Sequence, residues 1–187
     1  MSRPLRALAV VVALCVPLTL AVPAGATTAV KAKPAPWAKS VCSKVGGWRS
    51  SIEKASEKAA SAAPSTAKAA KKTLVKLIGR SLKATKKLSK DLKKIGTPGV
   101  NGGKQVSSII RQGFKQVQST LGQALKELKA ADTGDAATFL TAARLTEDSL
   151  EAGLEHVEQA LRAATLIDVP ELVEAFGAQS GCTDVTA

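Results

Sequence analysis

Apolar residues recur along this chain at intervals of three and four, the period of helices buried on one side. Trp37, Val41, Val45, Trp48, Ile52, Ala55, Ala59 and Ala62 form a first stripe, weakened locally by Gly46 and Gly47 and ended by Pro64. Ser65 is placed to cap the helix that follows. That second helix runs to about Ile95, with Leu74, Ile78, Leu82, Leu88, Leu92 and Ile95 as its apolar side. A third, from about Gly103 to Ala131, carries Val106, Ile110, Phe114, Val117, Leu121, Leu125 and Leu128. In "ADTGD", Gly134 stops one helix and Asp135 starts the next, whose apolar positions are Phe139, Ala143, Leu150, Leu154, Val157 and Leu161. A short fifth begins at "DVPE", with Asp168 as cap, Pro170 in the first turn and Glu171 completing a capping box; Leu172, Val173 and Phe176 give it an apolar face. No alternating strand pattern occurs. Short connections between long helices predict an all-α fold, an antiparallel up-down four-helix bundle with a short fifth, C-terminal helix.

The first 26 residues stand apart from this pattern. Arg3 and Arg6 precede the apolar run "ALAVVVALCVPLTLAV" (residues 7–22), and "AGA" (24–26) supplies small residues at a cleavage site. This reads as a secretory signal peptide, cut after Ala26 or else after Ala24, and Cys15 belongs to the discarded segment. Residues 27–36 read as an extended Pro/Ala/Lys leader, and residues 37–187 as one domain. An exported protein left with two cysteines, Cys42 and Cys182, is expected to join them. Four helical passes return the chain to its starting end, where that bridge needs it.

Catalytic patterns are hard to assemble. "IGTPGVNGGKQV" (95–106) has the glycines and lysine of a phosphate loop. Yet Pro98 and Gln105 occupy the first glycine and the Ser/Thr places of G-x-x-x-x-G-K-[ST], and a lysine-rich helix precedes it instead of a strand. An interhelical turn explains it, with Gly96 as C-cap, Pro98 as stop and Asn101 as N-cap. His156 is the single histidine, which leaves no metal site to propose. "SIEK" and "STAK" match S-x-x-K without the companion motifs. Glu151 and Glu155 read as part of a solvated acidic stripe. No cofactor and no enzymatic activity are expected.

Charge changes the picture most. The chain carries 27 Lys and Arg against 15 Asp and Glu. Residues 27–130 hold 23 basic and 4 acidic residues; residues 131–187 hold 2 and 11. On the second helix Lys68, Lys72, Lys76, Arg80, Lys83, Lys87, Lys90 and Lys94 step by three and four along one stripe, with Asp91 the only acid on that helix. Glu147, Glu151, Glu155 and Glu158 form a counterpart on the fourth, expected to lie diagonally across the bundle. The basic ridge is suited to a polyanion. "AKAAKK" is similar to linker-histone tails, yet the chain reads as exported and no aromatics interleave to stack bases, which disfavours nucleic acid. An anionic wall polymer or an anionic membrane surface fits better. The alternative is a protein-binding module that docks through the acidic stripe or through a Trp37/Trp48 face, with the basic stripe serving only to keep the protein dissolved. The partner's identity and the oligomeric state are not legible.

"WAKSVC" (37–42), "GTPGVNGGKQV" (96–106), "DTGDAATFL" (132–140) and "ELVEAFGAQSGC" (171–182) occur in this order. In these segments the chain resembles small secreted proteins and lipoproteins of actinobacteria, streptomycetes above all. The resemblance covers nearly the whole chain after the signal peptide. It implies an exported helical protein with a cysteine near each end, of a family whose function is generally unassigned, and brings no catalytic residues. Many members are lipid-anchored through a processed cysteine. "VAL" before Cys15 places a leucine where that processing needs a small residue, which favours release to the wall or medium.

Overall fold

A computed structural model describes residues 32–179 and Cys182. Within them the chain is all-helical: α1 (Pro34–Ala60), α2 (Ala67–Ile95), α3 (Gly103–Ala130), α4 (Ala136–Thr165) and α5 (Pro170–Gly177). Among the described residues there is no β-strand, only an isolated bridge between Ala32 and Pro98. The expected signal peptide and the first five leader residues, 27–31, lie outside the described residues. Pro34, Ala35 and Pro36, expected in the extended leader, instead open α1. Proline is favoured in a first helical turn, where its missing N–H leaves no bond unmade.

Several helix ends differ from expectation by one residue. Thr66, not Ser65, caps α2 by accepting from the Ala69 amide. Gly102 in the left-handed region, φ 74°, replaces Asn101 as the residue before α3. Val169, not Asp168, precedes α5 and offers no side-chain cap. Asp135 caps α4 as expected, accepting from the amides of Ala137 and Thr138 and from the Thr138 hydroxyl. The Thr138 hydroxyl first, and then the backbone amides, hold its carboxyl below the usual carboxylate value.

Buried side chains from all five helices meet in one main core. Trp48 donates to the Thr85 hydroxyl at 2.9 Å, and Thr85 donates in turn to the Ser81 carbonyl, so the indole is satisfied inside the core. The Trp48 ring meets Phe114 of α3 edge to face, centroids 5.2 Å apart. Trp37 meets Phe176 of α5 in the same manner at 5.7 Å. Cys42 and Cys182 are joined by a disulfide, both buried. Their sequence separation is 140 residues, and a loop of that length stabilises the fold by about 5 kcal/mol in the chain-entropy model.

Neighbours along the chain pack against one another from α1 to α4, and α5 lies against α1. The expected diagonal separation of α2 and α4 does not hold. The two touch through a second apolar cluster, in which Leu128, Ala131, Phe139 and Ala142 meet Ala67, Ala70, Leu74 and Val75 near the starts of α2 and α4. The buried line of α4 also differs from the expected one. It runs through Phe139, Ala142, Thr146, Gly153, Val157, Leu161 and Ala164, while Leu154 is exposed. Thr146 enters the core because its hydroxyl donates to the Ala142 carbonyl, which offsets the cost of burying it. Val173 of α5 is likewise exposed, and Ala175 takes the inner position.

Candidate functional site

The loop between α2 and α3 joins parts of the scaffold. Gly96 adopts φ 77°, and its carbonyl accepts from the Trp37 indole at 3.1 Å and from the Ser107 hydroxyl at 3.2 Å. The Gly99 amide donates to the Ala32 carbonyl, and the Ala32 amide donates to the Thr97 carbonyl. A β-carbon at Gly103 would lie 2.5 Å from the Pro98 carbonyl oxygen, so close approach explains the glycine there. The loop turns the chain and clamps the residues that lead into α1.

Trp37 and Trp48 retain 2% and 4% of their surface, so the expected Trp37/Trp48 docking face does not exist. His156 engages the carbonyl of Ala152 on its own helix through Nδ1. Among the described residues no group of three or more His, Cys, Asp or Glu is placed to hold a metal ion. No helix of the described residues is long and apolar enough to cross a membrane.

The basic stripe lies where the periodicity put it. Lys68, Lys72, Lys76, Arg80, Lys83, Lys87, Lys90 and Lys94 are all exposed. The other side of α2 carries Ile78, Ser81, Thr85, Leu88 and Leu92, buried in the core. From Lys68 to Lys94 the ridge extends about 39 Å at 1.5 Å per residue. Among the described residues none of the eight side chains makes a hydrogen bond or an ion pair. On α4, Glu147, Glu151 and Glu155 are exposed and Glu158 is half-buried.

Two features outside the stripe were not read from the sequence. Lys71, also on α2, donates its Nζ to the carbonyls of Lys129 and Ala131, at 2.8 and 2.5 Å. It satisfies the open end of α3, and its charge complements the negative pole of that helix. On α3, Arg111 and Lys115 line a groove shared with Lys86, Lys90 and Lys93 of α2. A signal was available: Lys104, Arg111 and Lys115 are spaced seven and four apart, which places them on one face.

Comparison with protein-family models, curated proteins and solved structures found no match to this chain.

Proposed function

We propose that this is an exported, non-enzymatic helical protein whose lysine ridge contacts anionic polymers or surfaces of the cell envelope. Residues 1–26 act as the signal peptide in this reading, and the protein works at the wall or outside the cell, as its resemblance to actinobacterial secreted proteins implies. The four long helices run antiparallel, up and down, and the bundle presents one side of α2 to its surroundings. The observation that carries the reading is the ridge: eight exposed cations on one stripe, none of them engaged by another group among the described residues. Charges left without partners along one line attract a polymer with repeating negative charge, and lysines serve as point charges without demanding a fixed geometry. The apolar side of α2 is spent on the core, so contact with a membrane would go through charge.

The test reverses Lys68, Lys72, Lys76 and Lys87 to glutamate and follows association with isolated cell-wall polymer. A loss of association supports the reading, and association equal to that of the unaltered protein overturns it.

One observation favours a second reading, a protein-binding module working through α4. Leu140 and Leu154 are 56% and 39% exposed, on the same side of the helix as the acidic stripe. A partner captured in high salt and lost on replacing both leucines with serine would favour this reading.

A further inference from the structure

The groove between the C-terminal half of α2 and the N-terminal half of α3 draws cations from both helices. Its volume is about 550 Å³. Lys86, Lys90 and Lys93 form one wall, and Arg111 and Lys115 the other; no acidic residue lines it. Only Lys90 is shared with the ridge. The walls are tied together. Gln118 Nε2 donates to the Ser89 hydroxyl across the helices, and Ser107 donates to the Gly96 carbonyl where α2 ends. Arg111 is anchored by its Nε, which donates to the Ser107 carbonyl at 3.1 Å. That bond uses one of five guanidinium donors and fixes the plane of the rest.

Five cations around one groove repel one another, as like charges one helical turn apart do. The lining supplies no carboxylate to relieve them. Lys86 to Lys93 covers about 10 Å of helix, so the charge is distributed along a line instead of being gathered at a point. A chain with several phosphates matches that distribution better than one compact anion, and a guanidinium held in plane adds the paired donors that phosphate oxygens accept.

We propose that this groove is a discrete binding site for a linear phosphate-bearing chain, the place where the envelope polymer is gripped. The proposal rests on the polyanion reading and deepens it: the ridge attracts, and the α2–α3 groove binds a short segment saturably. Bound phosphates offset the mutual repulsion of the five cations, so occupancy raises the thermal midpoint.

The experiment titrates the oxidised protein with tripolyphosphate at constant ionic strength, with sulfate as the compact comparison, by calorimetry and thermal melting. Saturable one-to-one binding is expected, with tripolyphosphate favoured over sulfate. R111Q/K115Q, altered outside the ridge, is expected to weaken it about tenfold or more, since charge-assisted bonds are lost. The single variant K115Q guards against misfolding of the pair and is expected to show a smaller loss with an unchanged helical spectrum. K72Q/K76Q, on the ridge but outside the groove, is expected to bind tripolyphosphate like the unaltered protein. Non-saturable binding, equal preference for sulfate, or unchanged affinity in folded R111Q/K115Q would overturn the groove. The ridge reading fails separately: there, the four-lysine reversal leaves polymer association intact, whatever tripolyphosphate does.

Discussion

Trp37, near the start of α1, donates its indole N–H to the carbonyl of Gly96, 59 positions along the chain and just past the end of α2. This one bond ties the beginning of the fold to the loop that at first sight looks like a phosphate cradle. It is supported by Ser107, which reaches the same oxygen, and by the pairing of Ala32 with Thr97 and Gly99.

Replacing Trp37 with Phe keeps a ring near Phe176 and removes the donor. The Gly96 carbonyl retains Ser107, so no acceptor is stranded. The expected loss is about 1–3 kcal/mol, one net hydrogen bond plus the volume of the smaller ring. Urea denaturation of the two proteins checks it.

The Cys42–Cys182 bridge carries a larger effect. Replacing both cysteines with serine is expected to cost about 5 kcal/mol at the chain-entropy value for a separation of 140 residues. Denaturation of the oxidised protein against the double variant measures it. A loss near zero would show that the bridge adds nothing to the packing of α5 against α1.

Gly113 and Gly122 lie on the same helix and respond oppositely to alanine. A β-carbon at Gly113 would stand 2.5 Å from the Ala160 β-carbon, so Gly113→Ala forces α3 and α4 apart and is expected to destabilise by about 1–3 kcal/mol. Nothing lies within 4 Å of a β-carbon at Gly122. There, alanine is expected to stabilise by about 0.5–1 kcal/mol through helix propensity. Thermal melting of both variants reads the two signs, and Ala160→Gly in the Gly113→Ala background should restore part of the loss.

Asp135 makes the start of α4 sensitive to strong acid. Its folded carboxyl titrates below the ordinary value of 3.8 because the Thr138 hydroxyl and the first amides of α4 bind the carboxylate. A depressed folded value means that the contribution is fully present above pH 3.8 and is lost as pH falls through the lower folded value. Protection of the Ala137 and Thr138 amides against hydrogen exchange, corrected for the intrinsic rate, should therefore fall in strong acid. Asp135→Asn should flatten that dependence.

The five helices and the joined cysteines were legible in the sequence because each rests on a local rule: apolar spacing, a stop, a cap, an even pair of cysteines. Every apolar position assigned to α3 is buried or half-buried. What was not legible depends on contacts between helices. On α4, Thr146 and Gly153 carry no apolar signal, yet both face the core, whereas the apolar spacing selects Leu154, which is exposed. Nothing in the spacing of Trp37 and Trp48 says whether their rings lie outside; Phe176 and Phe114, from distant helices, pack against them. For the candidate site, the exposure of all eight ridge cations followed from periodicity. Arg111 and Lys115 belong to another helix, and only the fold sets them across from Lys86 and Lys93.

That the ridge is a working surface is tested most directly by a salt series. Binding of the oxidised protein is measured on phosphatidylglycerol vesicles, phosphatidylcholine vesicles and isolated wall polymer. The expected result is selectivity for the anionic targets, with the logarithm of affinity falling linearly against the logarithm of salt concentration, and a shallower slope after reversal of Lys68, Lys72, Lys76 and Lys87. Absence of binding at low salt with the helices intact, or a slope unchanged by the reversal, would contradict it.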